Sequence, residues 1–294
     1  MSKQPEPSTR IKLTAQAIAG TKNAQPLAML ALYDAQMARL AEESGIDMLL
    51  VGDSMGMVVL GLESTAQVTL DEILHHTQAV RRGAPKTHVV ADLPFMTYQV
   101  SDEQAVENAG RLVKEGGADS VKLEGGEAMA SRIAAISRIG IPVVAHIGLL
   151  PQTAAAQGGF KVQGREIAAA RQVLRDAEAV TEAGAIAVVL ELIPSELAER
   201  VTRSVPIPTI GIGAGVHCDG QVLVSHDLLG LFERFTPKFV KKYADLHAEM
   251  QKAFSEYIAD VQAQQFPAAE HSIMMDAAEW SDFLHGVEPE AQPA

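Results

Sequence analysis

Residues 48–54 read Met-Leu-Leu-Val-Gly-Asp-Ser, an apolar run that ends in a carboxylate, and this pattern decides the fold. Other apolar runs of the chain end in the same way, at Asp92, at Lys122 with Glu124, and at Glu191. Packing alone explains a charged group at the end of a buried strand poorly, because Asp, Glu and Lys are rarely buried without a partner. We therefore expect these residues to gather at one rim and to form a site for metal binding and proton transfer.

Eight short apolar runs, rich in β-branched residues, alternate with helical patterns from Pro26 onward. Runs of this kind are typical of buried parallel strands. Eight strands with intervening helices over roughly 200–250 residues predict an α/β fold, the closed (β/α)8 TIM barrel, with an open doubly wound sheet as the alternative. In a barrel, every charged strand end lies on the C-terminal face, where such enzymes place their chemistry. The runs are residues 27–32, 48–52, 88–91, 120–123, 142–146, 186–190, 208–212 and 221–225.

The sequence outside the eight runs predicts an N-terminal helix and a C-terminal helical extension. Residues 1–8 are expected to be a disordered N-terminal arm, residues 9–265 the barrel catalytic domain, and residues 266–294 an acidic C-terminal tail. A helix is expected over residues 9–25, before the first strand. Pro237 is expected to start a long C-terminal helix, because apolar residues follow it at spacings of three and four.

The composition excludes several classes of protein. A formal net charge of −13 argues against nucleic acid as a partner, since phosphate binding needs a basic face. The single cysteine, Cys218, excludes an intrachain disulfide framework and fits a reducing compartment. Residues 139–160 lack charged side chains, but prolines and glycines interrupt them, so no membrane helix is predicted. Residues 1–9 contain no apolar signal segment, and we expect a cytoplasmic protein.

Each charged residue at a strand end also has a simpler structural explanation, which competes with a role in catalysis or metal binding. Asp53 can cap the helix that follows it, and so can Asp92. Lys122 and Glu124 alternate along one strand and therefore face the same side, where they can form a surface ion pair. Glu191 is the hardest to explain in this way, because it follows four apolar residues. A carboxylate among apolar residues is suited to general-base work.

The residue types at the rim indicate a metal with oxygen ligands. Asp53, Asp92 and Glu124 have no accompanying His or Cys cluster, which favours a hard cation. Mg²⁺ keeps several waters and takes only one or two protein carboxylates, which leaves room for a chelating substrate. A 2-oxo acid chelates through its carboxylate and keto oxygens, and coordination of the keto oxygen stabilises an enolate. In this interpretation Lys122 neutralises remaining negative charge, and Glu191 takes the proton from carbon.

Two other features near the rim have more than one explanation. His146 ends its strand at the same rim and is equally well explained as a ligand contact or as an ordinary hydrogen-bonded histidine. The glycine-rich segment 211–215 is weak as a nucleotide motif, because no clear helix opens after it. Its glycines indicate close backbone approach at a strand end, beside a ligand or beneath one. Cys218 is interpreted as structural, because no base lies near it in sequence.

A set of longer motifs adds a family resemblance. The motifs are Val51–Gly56, His75–Thr77 with Ala79–Ala84, Ala91–Met96, Val121–Gly126, His146–Leu149 with Pro151–Gln152, Lys161–Arg165, Gly211–Gly215, Asp219–Gln221 and Pro237–Phe239. Together they resemble the ketopantoate hydroxymethyltransferase family from Thr9 to Ser272. The resemblance implies a (β/α)8 barrel that transfers a hydroxymethyl group from 5,10-methylenetetrahydrofolate to 3-methyl-2-oxobutanoate in pantothenate biosynthesis. It also implies a homo-oligomer, commonly a decamer of two pentameric rings.

The resemblance assigns roles to the same rim residues. It implies that Asp53 and Asp92 are magnesium ligands and that Glu124 is a third carboxylate of the metal site, which can act through water. It implies that Glu191 is the proton acceptor. Contacts to the oxo acid fall on Asp53, Ser54, Asp92 and Lys122.

The chain departs from the family pattern at a few positions. Leu150 stands where Thr is usual before Pro-Gln, and Ala145 stands where Gly commonly precedes the His. Neither change removes an expected ligand, but local loop shape or folate affinity can differ.

Two other functions fit the same residues. A metal-dependent lyase that cleaves a carbon–carbon bond in a small oxo or hydroxy acid would share the fold and the cation. Folate dependence separates that lyase from the transferase. A catalytically idle barrel that serves as a binding module would be identified by failure to bind Mg²⁺ in the presence of an oxo acid.

Overall fold

The computed structural model describes residues 11–156, 158–235 and 237–286. Within these residues, eight parallel strands pair in chain order and close into a barrel. The closed-barrel prediction is therefore confirmed, the open-sheet alternative is wrong, and every predicted strand lies within two residues of its expected bounds. The strands are β1 (Leu27–Ala31), β2 (Met48–Val51), β3 (His88–Asp92), β4 (Ser120–Glu124), β5 (Val143–Gly148), β6 (Ala187–Glu191), β7 (Thr209–Ile212) and β8 (Gly220–Val224).

Helices connect all the strands except β7 and β8, and further helices precede the first strand and follow the last. The first helix is shorter than the predicted residues 9–25, because Thr14 caps its start and the chain leaves the helix at Gly20. The helices are α1 (Ala15–Ala19), α2 (Ala35–Glu43), α3 (Met55–Val58), α4 (Leu70–Gly83), α5 (Asp102–Lys114), α6 (Ala130–Arg138), α7 (Ile167–Glu182), α8 (Ser195–Ser204), α9 (Ser225–Leu228), α10 (Leu246–Gln262) and α11 (Ala277–Gly286).

Several of these helices begin where the sequence supplies a capping side chain. Thr69 and Glu72 cap α4 reciprocally, since Glu72 N donates to Thr69 Oγ1 at 3.3 Å and Thr69 N donates to Glu72 Oε2 at 2.7 Å. Ser101 caps α5 by accepting from Gln104 N at 3.2 Å. Asp34 caps α2 by accepting from two backbone N–H groups. Each cap satisfies N–H groups that the first turn of a helix leaves unpaired, so it fixes where the helix starts.

Alternation along the strands divides the core into two layers. Outward-facing strand residues pack against the helices, and inward-facing residues form a separate cluster that includes Ile18 of α1. The same alternation continues to the strand ends, so it directs Asp92, Lys122, Glu124 and Glu191 toward the inside of the barrel. The inner cluster consists of Ile18, Leu27, Met29, Ala31, Met48, Leu50, Val90, Val144, Ala187, Val189, Ile210 and Val222.

The chain divides into a compact unit that ends at Ala244 and a second unit that begins at Asp245. The second unit contains α10 and α11. The predicted helix start at Pro237 is wrong, because the Tyr243 N–H donates to the Leu228 carbonyl at 2.8 Å and so is not part of a helical turn. Asp245 then caps α10 with its side chain.

Some predictions fall on residues outside the described ranges. The predicted disordered arm, residues 1–8, lies outside the described residues, and so do residues 287–294 of the predicted acidic tail. Among the helices of the described ranges, none has both the length and the apolar character needed to cross a membrane.

Candidate active site

Four neighbouring strands, β3 to β6, bring the predicted rim residues together. Strand register places Asp92 of β3 beside Lys122 of β4, and Glu124 of β4 beside His146 of β5. Glu191 ends β6, the next strand. The side chains of Asp92, Lys122, Glu124 and His146 are buried, whereas 15% of the Glu191 side chain is exposed to solvent. Residues far apart in sequence therefore share one pocket at the C-terminal face of the barrel.

A buried ion pair lies at the centre of this pocket. Lys122 Nζ is 2.6 Å and 2.8 Å from the two Asp92 oxygens, and Asp53 N donates to Asp92 Oδ2 at 3.2 Å. Burial lowers the pKa of Lys122, but the charges of Asp92, Glu124 and Asp53 outweigh burial and raise this pKa above its ordinary value. Lys122 is thus a buried ammonium group, and the surface ion pair considered for it is wrong.

Asp53 and Ser54 follow β2 and point to different partners. Asp53 Oδ2 accepts from Gln152 Nε2 at 2.9 Å. Ser54 stands at the start of α3 without a side-chain capping bond, and its Oγ lies 2.8 Å from the Tyr33 hydroxyl. Burial and the neighbouring Asp92 charge raise the pKa of Asp53 to about 7, although nearby donors lower it. The Asp53 carboxylate is therefore part of the pocket.

One carboxylate oxygen of Glu124 has no hydrogen-bond donor among the described residues. Its Oε2 accepts from Gln152 N at 3.0 Å, while its Oε1 is buried and has no hydrogen-bond partner among the described residues. Lys122 Nζ lies 3.9 Å from Oε1. Burial raises the pKa of Glu124 well above its ordinary value, although Lys122 lowers it. Because buried polar atoms in proteins are normally satisfied, this oxygen points to a ligand.

His146 lies between two carboxylates. Its Nε2 is 3.1 Å from Glu191 Oε2, and its Nδ1 is 3.7 Å from Glu124 Oε1. Within the described ranges, neither ring nitrogen is aligned for a hydrogen bond. Burial lowers the pKa of His146, although Glu191 raises it, so the ring is neutral at pH 7. The structure thus places this histidine against Glu191, which the sequence could not do.

Sequence reasoning did not identify Gln152 as a functional residue. It lies after β5, and it reaches back to Asp53 and Glu124 with its side chain and backbone respectively. An uncharged residue in a loop has no periodicity that marks it, so the sequence carried little signal. Its position within a motif shared with a family was the only hint.

The glycine segment and the cysteine have structural roles. A Cβ atom at Gly213 would lie 2.7 Å from the Phe239 ring, and one at Gly215 would lie 2.1 Å from Ser195 Oγ. Both glycines have positive φ, and the close approach that they allow is to side chains of this chain; approach to a ligand stays a prediction. Cys218 is buried, so it does not supply the loop acid that the lyase alternative needs.

The oxygen-rich pocket fits a hard divalent cation. Asp53, Asp92 and Glu124 offer only oxygen donors, and one of those oxygens is buried without a donor. In the part of the chain that the structure describes, no group of three or more His, Cys, Asp or Glu side chains is spaced to hold a metal ion by itself. A hard cation that takes only one or two protein carboxylates and keeps several waters does not require such a group.

Solved structures with low sequence identity share the fold. A phosphoenolpyruvate phosphomutase from Streptomyces platensis subsp. rosaceus aligns with a TM-score of 0.59 and 17% identity, covering 93% of this chain and 98% of that chain. A phosphonopyruvate hydrolase complex with oxalate and Mg²⁺ aligns with a TM-score of 0.57 and 14% identity, covering 93% and 95%. At these identities the likeness concerns the barrel fold alone.

Sequence relatives are much closer. A 3-methyl-2-oxobutanoate hydroxymethyltransferase from Oleidesulfovibrio alaskensis is 54% identical over 279 residues, which cover 94% of this chain and 96% of that protein. A protein of the same name from Moorella thermoacetica is 56% identical over 246 residues, which cover 84% and 91%. The family model described as ketopantoate hydroxymethyltransferase matches residues 12–269. Because that match spans most of the chain and the relatives are more than half identical, the chain belongs to the ketopantoate hydroxymethyltransferase family.

Proposed function

We propose that this protein transfers a hydroxymethyl group from 5,10-methylenetetrahydrofolate to 3-methyl-2-oxobutanoate. The product is 2-dehydropantoate (ketopantoate), an intermediate of pantothenate and coenzyme A biosynthesis. Family membership supports the reaction and the acceptor. The observation that carries the proposal is the pocket in which the carboxylates of Asp92, Glu124 and Asp53 interact with the buried Lys122, while Glu191 lies against His146 at the same rim.

The oxo acid binds among the residues that end β2, β3 and β4. The Lys122 ammonium offsets part of the carboxylate charge, which otherwise would repel an anionic substrate. Ser54, held by the Tyr33 hydroxyl, offers a hydroxyl group at the same rim. The substrate-binding set is Asp53, Ser54, Asp92 and Lys122.

Asp53, Asp92 and Glu124 would hold Mg²⁺, directly or through water. When bound, the cation supplies stabilisation of the negative charge that develops on the keto oxygen. The donor set supports this assignment, because all three residues contribute hard oxygen atoms and one oxygen of Glu124 is unmatched within the described chain.

Glu191 acts as the base that removes the proton from C3 of the oxo acid. It is the most exposed of the rim carboxylates, so a substrate can reach it. The neutral His146 ring touches Oε2 of Glu191 and leaves the other oxygen for the substrate. The C3–H electron pair then forms the new carbon–carbon bond to the one-carbon unit while the first of the two C–N bonds of this unit to the folate breaks. Water then cleaves the second C–N bond and leaves its oxygen on the transferred carbon, which releases tetrahydrofolate and the hydroxymethyl product.

The protein is expected to act as a homo-oligomer in the cytoplasm, with the family's homodecamer as its form. Support comes from the exposed apolar side chains along α10, which include Phe254, Tyr257 and Ile258. Clustered apolar surface of this kind is typical of subunit interfaces. The single cysteine fits a reducing compartment.

The decisive experiment measures ketopantoate formation from 3-methyl-2-oxobutanoate with and without the folate donor and Mg²⁺. Product is expected only when both are present, while hydrogen–deuterium exchange at C3 needs Mg²⁺ but no folate. Carbon–carbon cleavage without folate would identify a lyase instead. Failure to bind Mg²⁺ with the oxo acid present would indicate an idle barrel.

A further inference from the structure

Gln152 connects two carboxylates of the proposed metal site that come from different strands. It lies in the short helix Pro151–Thr153, after β5, and only 5% of it is exposed. Its backbone N–H donates to Glu124 Oε2 at 3.0 Å, and its Nε2 donates to Asp53 Oδ2 at 2.9 Å. This single loop residue therefore engages one oxygen of each carboxylate.

The Gln152 amide has one orientation that suits its neighbours. Its Oε1 accepts from the Tyr98 hydroxyl at 2.7 Å, and its Nε2 also donates to the Leu93 carbonyl at 3.0 Å. A flipped amide would set its oxygen against the Leu93 carbonyl and the Asp53 carboxylate. The Tyr98 hydroxyl in turn accepts from Glu124 N at 3.1 Å, and the Glu124 carbonyl at 3.0 Å is a second, more distant acceptor for its one proton. Tyr98 therefore orients the amide, and the amide orients the carboxylates.

We infer that Gln152 is a positioning residue, which turns one oxygen of Asp53 and one oxygen of Glu124 toward the cation. The inference rests on the metal site of the proposed function. Gln152 engages Oδ2 of Asp53 and Oε2 of Glu124, so Oδ1 and Oε1 are the oxygens that it leaves to a ligand. Oε1 of Glu124 is the buried oxygen that accepts no hydrogen bond from the described residues.

The chemistry of the amide suits this task better than a charged side chain would. A Lys or Arg at position 152 would hold the same oxygens, but its positive charge would repel a cation a few ångströms away. The neutral Gln152 amide donates hydrogen bonds without adding charge. It therefore fixes the carboxylates and leaves their negative charge available to the metal.

The test replaces Gln152 by Leu, which is similar in size and keeps the backbone N–H. Magnesium chloride titrated into the full-length variant in a calorimeter is expected to bind about 10–100-fold more weakly than to wild type, the usual effect of removing an outer partner of a metal ligand. Exchange at C3 of 3-methyl-2-oxobutanoate is expected to recover in part at high magnesium, because the ligands themselves remain. A purely structural role would lower the urea midpoint and leave the magnesium affinity unchanged.

Two further variants sharpen the result. Gln99→Leu is the matched control, because Gln99 Nε2 contacts Gln152 Oε1 only at 3.5 Å and is bonded to neither carboxylate, so wild-type magnesium affinity is expected. Tyr98→Phe keeps the ring but removes the hydroxyl that orients the amide, and it should weaken magnesium binding by less than Gln152→Leu. If Gln152→Leu does not fold, the magnesium affinity of Tyr98→Phe tests whether Gln152 positions the carboxylates.

The possible outcomes separate the inference from the function on which it rests. Wild-type magnesium affinity in folded Gln152→Leu, or in Tyr98→Phe if the first variant does not fold, would overturn the inference and leave the proposed function intact. Failure of the wild-type protein to bind magnesium, with or without the oxo acid, would overturn both.

Discussion

The two ends of the barrel both bury charged side chains, but they pair those charges differently. At the N-terminal end, Asp219 accepts from Lys22 Nζ at 2.8 Å, from Thr209 N at 2.9 Å and from Asn23 N at 3.2 Å. Asp119, at the same end, is paired with two cationic side chains. These carboxylates are matched by donors and positive charge, as structural ion pairs must be to be tolerated in a protein interior.

At the C-terminal end the matching is incomplete. Three carboxylates, Asp53, Asp92 and Glu124, interact with Lys122. In the described part of the chain, Glu124 Oε1 and both ring nitrogens of His146 lack an aligned hydrogen-bond partner. Unmatched buried groups lower stability and are typical of functional sites, where a ligand completes them. For the carboxylates, this contrast supports the proposed function, in which one end of the barrel stabilises the fold and the other binds the substrate.

The pKa of one residue type shifts in opposite directions at the two ends. Burial and the Asp92 charge raise the pKa of Asp53 to about 7. Burial also raises the pKa of Asp219, but hydrogen bonds from Lys22 and Thr209 outweigh it and hold this pKa below its ordinary value. Burial therefore acts on both aspartates, and the donors around each of them decide the result.

Replacing Glu191 by Gln is expected to give the largest effect, and the effect should be on rate. Gln has the same size but cannot take the proton, so hydrogen–deuterium exchange at C3 of 3-methyl-2-oxobutanoate should fall about 10²–10⁴-fold. The urea midpoint and the magnesium affinity should stay close to wild type, because Glu191 is the most exposed carboxylate of the rim. Exchange at the wild-type rate would remove Glu191 from the role of base.

Replacing Asp219 by Asn should have the opposite effect: it should lower the free energy of unfolding and leave the rate of C3 exchange unchanged. The change leaves the Lys22 ammonium with the Thr202 carbonyl but without its charged partner in partly buried surroundings, so the free energy of unfolding should fall by about 3 kcal/mol. Urea titration at pH 7 measures this loss, and C3 exchange per folded molecule should stay at the wild-type rate. Lys22→Met is the matched variant and should cost less, since Asp219 keeps its donors from Thr209 and Asn23. A separate loss of exchange rate in Asp219→Asn would mean that the two ends are coupled.

The stabilisation by Asp219 should depend on pH in a direction that its pKa shift fixes. The pKa of Asp219 is lowered in the folded protein, so the folded state binds this proton more weakly than the unfolded state does. The contribution is therefore complete above the unfolded pKa of about 3.9 and is lost as pH falls through the folded pKa. Urea titrations of wild type and Asp219→Asn should differ at pH 7, and the difference should begin to shrink as pH falls below about 3.9. A difference that stayed constant over this range would contradict the assigned shift.

The strands and the charged residues at their ends could be predicted from the sequence, because both are visible in short stretches of the chain. Each strand is a short apolar run, and Asp92, Lys122 and Glu191 were found because each interrupts or ends such a run. The barrel then follows from the number of strands, and the shared rim follows from the barrel.

The features that could not be predicted depend on contacts between distant segments. Gln152 is an uncharged loop residue that matters only because its loop folds back onto β2 and β4. Lys22 and Asp219 are 197 residues apart, and neither is marked by periodicity. The start of α10 was misplaced because the bond from Tyr243 N to the Leu228 carbonyl leaves no trace in the sequence.

Replacing Glu124 by Gln should give the smallest effect, and it should raise stability. The pKa of Glu124 is raised in the folded protein, so its ionised form opposes folding at pH values above its ordinary pKa of about 4.3. Gln keeps an oxygen for the Gln152 N–H but carries no charge to bury, so at pH 8 in metal-free buffer the free energy of unfolding should rise by roughly 0.5–2 kcal/mol. The gain should shrink as pH falls toward 4, where the native carboxyl is already protonated, and magnesium binding should weaken. If Glu124→Gln were less stable than wild type at pH 8, Glu124 would be as well matched as Asp219, and the contrast between the two ends would not hold.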